Sequence, residues 1–180
     1  MTIPILSDDL ISHVSGLVAA YITTQRNRYI HVALPLSINQ RTAMAGFFSS
    51  QLLDETRLLV LNEERVDNPD FYPMLQRMGF DNLPDQATMA AVTFADCVVS
   101  HGYCTDELLF HELVHVEQYR QLGIPKFADL YLRGFLSGGG YFEIPLERNA
   151  YALGELYGRN HSRPFSVADE VGRWISEGRF

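Results

Sequence analysis

Two of the chain's six histidines stand four apart in the stretch HELVHVEQ, residues 111–118. On an α-helix, residues i and i+4 share a face. His111 and His115 would therefore offer two imidazoles to one small ion. Glu112 follows the first histidine and projects about 100° round the helix axis. It would flank the ion rather than join the pair, which is where a base for a metal-activated water belongs. H-E-x-x-H on a helix is the zinc-holding arrangement with this division of labour. The run around it is apolar, and buried imidazoles and carboxylates cost free energy unless something satisfies them. A metal ion does so; the alternative is a pair of core histidines hydrogen-bonded to backbone or acids.

A hydrolytic zinc takes three protein ligands and keeps one position open. VEQYRQLG, which follows His115, contains no further histidine. That excludes the class with a third histidine shortly after the pair. Downstream, PLERNAYALG places Glu147 in the first turn of a helix that Pro145 begins. Ala150, Tyr151 and Gly154 share its face at helical spacing. Ala150 and Gly154 are small and would let this helix approach the first closely. Glycine inside a helix costs roughly 1 kcal/mol relative to alanine, so Gly154 is expected to have a packing reason. Glu143 and His161 are the rival third ligands. Gln118, three beyond His115, is placed either to orient a ligand or to sit as a satisfied interfacial amide.

HELVHVEQ followed by IPLERNAY resembles the gluzincins, zinc peptidases with two histidines from H-E-x-x-H and a glutamate from a second helix. The short chain looks like the minimal gluzincins, which lack the large C-terminal domain of thermolysin-like enzymes. The likeness covers roughly Met89 to Gly158. It implies Zn2+ on His111, His115 and Glu147, with Glu112 as general base in the hydrolysis of a peptide bond by a metal-activated water. It also implies a tyrosine or histidine that donates to the oxyanion. Tyr141 is the candidate, with Tyr151 and Tyr119 competing. The preceding strand would line the cleft and pair with an extended peptide. The family's second motif often reads E-x-x-A-D, its aspartate supporting a histidine ligand. Here Glu147 and Ala150 match and Tyr151 replaces the aspartate. That replacement motivates a second reading, a catalytically weak or inactive peptidase-like zinc module that binds protein partners.

The elements that must position these residues suggest an α+β fold. It would be a mainly helical single domain over residues 1–180, with a small sheet preceding the H-E-x-x-H helix. Residues 1–56 would form an N-terminal helical part, 57–160 the zinc-site core and 161–180 a C-terminal helix. SDDLISHVSGLVAAYITTQ predicts an amphipathic helix with Ser7 as N-cap and Asp8 and Asp9 in its first turn. A second helix is predicted from Asn39 to about Glu55, and a short strand over Arg57 to Asn62. Pro69, Pro73 and Pro84 make the next stretch mostly loop, with a short helix near Met74 to Met78. Met89 to Ser100 alternates like a strand, with Asp96 as a bulge or bend.

The central helix has Thr105 as its cap, Asp106 and Glu107 in its first turn, and Gly123 to close it; Pro125 prevents its continuation. KFADLYLRGFL forms a further helix and SGGGY, residues 137–141, a connector. IPLERNAYALGELYG is the ligand helix, ending at Gly158. SVADEVGRWISEG closes the chain with Val167, Val171, Trp174 and Ile175 facing inward.

A chain that is 47% hydrophobic and 20% charged can build an ordinary globular core. No apolar run reaches the length of a membrane span. The net charge of −8 lacks the basic footprint that nucleic acids or anionic membranes require. A peptide or protein substrate is the expected partner. MTIPILSDDL has neither a basic n-region nor a long apolar run, so no secretory signal is expected. The default compartment is cytoplasmic, with signal-less export as the alternative. Cys97 and Cys104 are too few for a disulfide framework and too far apart for a C-x-x-C knuckle, so they are expected to be plain buried thiols.

Overall fold

Ser7 accepts a hydrogen bond from the Leu10 amide and starts α1 (Asp8–Tyr29), a helix extending beyond the predicted stretch. The computed structural model describes residues 6–137 and 140–179. The connector at 137–141 falls partly outside these, at residues 138 and 139. Among the described residues there are seven α-helices and a four-stranded sheet, so the α+β, mainly helical architecture holds. No described helix is long and apolar enough to cross a membrane.

The predicted helix Asn39–Glu55 is two helices, α2 (Ile38–Met44) and α3 (Ser50–Glu55). Gly46 breaks it at φ 86°, a conformation that side chains with a Cβ rarely adopt. A Cβ there would also meet the Pro164 ring at 3.0 Å. Beyond the break, Ser49 caps α3 by accepting from the Leu52 amide.

β1 (Leu34–Pro35) and β2 (Arg57–Val60) pair antiparallel. The continuous strand expected over Met89–Ser100 is instead a hairpin of β3 (Ala91–Phe94) and β4 (Cys97–Ser100). The chain reverses through Ala95, at φ 57°, and Asp96. Asp96 is anchored to α1 by Arg26, with Nη2 to Oδ2 at 2.8 Å. The sheet order is β1-β2-β4-β3, with β2 and β4 parallel. A short helix, α4 (Tyr72–Arg77), interrupts the loop between β2 and β3.

Thr105 then caps α5 (Asp106–Leu136) through the Leu108 amide. Gly123 breaks its helical geometry at φ 74°, and the helix resumes around Pro125, so α5 is two helical rods meeting at a kink. It is followed by α6 (Pro145–Arg159) and α7 (Val167–Ser176).

Two cores result. Neighbouring residues of a strand point to opposite faces, and in β4 Cys97 and Val99 join one core while Val98 joins the other. The first core contains α1, the hairpin and the second half of α5. The second packs α2, α3, α6 and α7 around the first half of α5, with a cluster of rings from Phe47, Phe110, Tyr157 and Phe165. Both cysteines are free and buried. Burial pushes their thiols up, to about 11 for Cys97 and about 12 for Cys104, so both stay protonated.

Candidate metal centre

α5 and α6 form the most extensive helix pairing in the molecule. Their approach depends on a residue different from the one expected. Gly154 faces open space, with nothing within 4 Å of a Cβ added there, so the packing reason expected for it is absent. The close contact is at Gly134, where a Cβ would stand 2.6 Å from Pro145 Cδ. The start of α6 thus rests directly on the backbone of α5. Ala150 is fully buried between the helices, as its size suggested.

This packing brings His111, His115 and Glu147 together, one donor atom from each lying within 4.8 Å of the others. The two Nε2 atoms are 3.2 Å apart. Glu147 Oε2 is 3.4 Å from His111 Nε2 and 3.3 Å from His115 Nε2. Ligands at zinc distances of about 2.0–2.1 Å on tetrahedral angles stand roughly 3.3 Å apart. The three separations match that triangle. Glu147 Oε2 is buried and has no hydrogen-bond partner. A buried carboxylate oxygen in that condition is costly, and a cation within the triangle would satisfy it. The donor set therefore fits zinc.

Electrostatics within the triangle are strong. Burial opposes ionisation of Glu147, but the facing imidazoles outweigh it and hold the carboxyl well below its ordinary range. Burial likewise pushes His115 down, but Glu147 and then Glu112 outweigh it and raise the ring to about 9.

His115 has its ring fixed from behind. Its Nδ1 lies 2.8 Å from Gln118 Oε1, an oxygen that can only accept, so Nδ1 carries a proton and Nε2 is the nitrogen turned to the triangle. Gln118 is itself fully buried and donates to the Leu146 carbonyl at 3.0 Å and to Asn149 Oδ1 at 2.9 Å. Gln118 thus takes the orienting role. Asn149 and the Leu146 carbonyl are its partners across the helix pair, and Asn149, two residues or about 200° round α6 from Glu147, is not marked by the spacing of the ligand helix. His111 is only partly buried, and its ring packs on Tyr151 with centroids 4.5 Å apart.

Glu112 is buried but stands outside the donor triangle. Thr93 of β3 donates to its Oε2 at 2.7 Å. Thr93 also went unrecognised in the sequence, where it was one alternating position in a strand. Tyr119 Oη donates to the Thr93 carbonyl at 3.3 Å, so that acceptor is engaged within the fold rather than left for an added strand.

Tyr141 begins a 3-10 turn (Tyr141–Glu143) just before α6. Burial and then the Glu147 charge push its phenol far above the ordinary range, so it remains a donor. Glu143 lies outside the cluster, exposed and 3.8 Å from Arg148. His161 is also outside it, with its ring on Tyr157 at 4.4 Å. The cluster opens onto a cavity of about 120 Å³.

Neither the protein-family models, nor the curated proteins, nor the solved structures contain a match to this chain.

Proposed function

We propose that this protein is a zinc-dependent peptidase in which His111, His115 and Glu147 hold the metal and Glu112 is the general base. The observation that carries the reading is the triangle of 3.2, 3.3 and 3.4 Å around an orphaned carboxylate oxygen. Bound zinc supplies a Lewis acid that makes water nucleophilic near neutral pH and polarises a carbonyl. Everything else in the reaction comes from the chain.

Glu112 is kept out of the triangle because Thr93 engages its Oε2. Its Oε1 is the oxygen that takes the proton of the attacking water and returns it to the leaving amine. Gln118 holds His115 in one tautomer and one orientation. Tyr141, protonated through the working pH range, is the donor for the oxyanion of the hydrated peptide.

A mixed peptide library tests the reading with zinc-loaded protein, the same protein after chelation, and the chelated protein after zinc is restored. Cleavage that disappears and returns is the expected result. Cleavage indifferent to chelation would remove the metal from the reaction. A second reading, a zinc module that binds proteins without cutting them, draws on Tyr151. Its ring packs at a tilt against His111 at the position where the resembling family carries a supporting aspartate. Stoichiometric zinc without cleavage of any library member would favour it.

A further inference from the structure

The cavity beside the triangle lies between α1, β3 and the second half of α5. Its wall includes Val18 and Ile22 from α1, Val92 from β3, and Phe127, Tyr131 and Phe135 from α5. Tyrosines aside, among the described residues the only ionisable side chains lining it are Glu112, His115 and Glu147. The hydroxyls of two lining tyrosines are engaged elsewhere: Tyr21 donates to the Asp67 carbonyl at 2.7 Å and Tyr119 to Thr93. These tyrosines thus offer the cavity their rings rather than their polar ends.

We infer that this cavity is the specificity pocket of the proposed peptidase. It takes one uncharged side chain of phenylalanine, leucine or methionine size from a residue flanking the scissile bond. The inference rests on the peptidase reading, since only that reading puts a scissile bond at Glu112 and His115.

Volume sets the scale. A rigid apolar cavity of about 150 Å³ takes one benzene ring, and this one, at about 120 Å³, favours a single ring or a branched aliphatic group over an indole. Charge sets the other limit. A lysine or arginine entering would lose its water among apolar walls and find two carboxylates already engaged, Glu147 by the two imidazoles and Glu112 by Thr93. A glutamate or aspartate would meet Glu112 and Glu147 at close quarters.

The walls are also tied in place. Asn68 donates to Asp85 Oδ1 and accepts from the Gln86 amide, and His101 bridges the Val66 amide and the Met89 carbonyl. Both clasps hold the loop that supplies Pro69, Leu83 and Met89 to the cavity. The pocket is therefore formed before a substrate arrives, which favours discrimination by fit.

Two measurements on the zinc-loaded protein test this. In the first, the N-acetyl amides of phenylalanine, leucine, tryptophan and lysine are titrated and followed by ligand-observed NMR, which needs no turnover. In the second, cleavage positions in a mixed peptide library are sequenced. Each is run on wild type and on Val18→Phe, whose added ring would fill the cavity. Ala91→Leu, from β3, serves if Val18→Phe does not fold.

Wild type should bind the phenylalanine and leucine amides at least about tenfold more tightly than the other two, in line with the discrimination a hydrophobic pocket achieves. It should cut beside phenylalanine, leucine or methionine. The filled variant should lose that binding at least about tenfold, keep its zinc, and shift its cuts to alanine and serine. Cleavage with no side-chain preference, or a preference the filled variant leaves intact, overturns the pocket and leaves the peptidase standing. Amide binding as expected with no cleavage by zinc-loaded protein overturns the peptidase reading, and with it the pocket's role in choosing a scissile bond.

Discussion

The two histidines of the triangle come from one helix, four residues apart, yet their surroundings differ. His115 is buried, its Nδ1 fixed by Gln118, which is fixed in turn by Asn149 and the Leu146 carbonyl. His111 is half-buried, and the partner of its ring is Tyr151, itself 43% exposed and followed outward by the exposed Phe142. One flank is a hydrogen-bonded chain inside the protein and the other is a run of tilted ring contacts at its rim. A hydrogen bond sets a tautomer and a direction, whereas a tilted ring contact sets neither. The inner flank should therefore govern how the metal is held, and the outer flank how the site meets solvent and partners.

The largest test removes what both flanks share. Glu147→Ala should lower zinc affinity by more than about a hundredfold, since it takes away one of three protein ligands. Competition against a calibrated chelator gives the number, and undiminished affinity would break the triangle altogether. Glu112→Gln comes next. It should keep zinc and thermal stability while turnover falls by about 10²–10⁴, the typical worth of a general base. Steady-state cleavage beside elemental analysis checks it, and equal turnover would place the base elsewhere.

Gln118→Leu breaks the inner flank alone. It should cost about 10–100-fold in zinc affinity, the usual effect of losing a ligand's hydrogen-bond partner. It should also cost about 1–3 kcal/mol in stability, because buried groups lose their partners. Tyr151→Ala breaks the outer flank alone and should change zinc affinity less than Gln118→Leu does, as measured with the same chelator. If the tyrosine variant proves the more damaging, the contrast between the flanks is wrong.

The smallest effect is one of pH. In the metal-free protein His115 is raised to about 9 against an ordinary value near 6.5. The folded state holds that proton more tightly than the unfolded state does. The resulting stability is fully present below about pH 6.5 and is lost as pH rises through 9. Melting temperatures of metal-free protein across this window should fall more steeply for wild type than for His115→Asn.

Legibility in the sequence followed the same physics. The helix of His111 and His115 could be read because its period, its Thr105 cap and its acidic first turn all agree, and the placement of Glu147 because Pro145 marks where its helix begins. The hairpin was missed because its turn uses Ala95 at positive φ, where glycine or asparagine would have signalled it. The break between α2 and α3 turned on Gly46, whose close approach to Pro164 joins residues far apart in sequence. Gly134 and Gly154 both sit in helical runs, and only the packing of α6 against α5 distinguishes the one that matters. Thr93 and Asn149 support the site across element boundaries, which a periodicity within one element does not report.

The contact of Gly134 with Pro145 has a consequence for the order of assembly. It makes α5 and α6 a helical hairpin, and all three metal donors lie in that one continuous stretch of chain. The contact itself closes only a short stretch of chain, so the two helices can pair through it at little cost in chain entropy. The β3–β4 hairpin, which carries Thr93 to Glu112, is more local still. The parallel pairing of β2 with β4 must instead close the long loop between Val60 and Cys97, and the topology makes it the later event in a refolding chain.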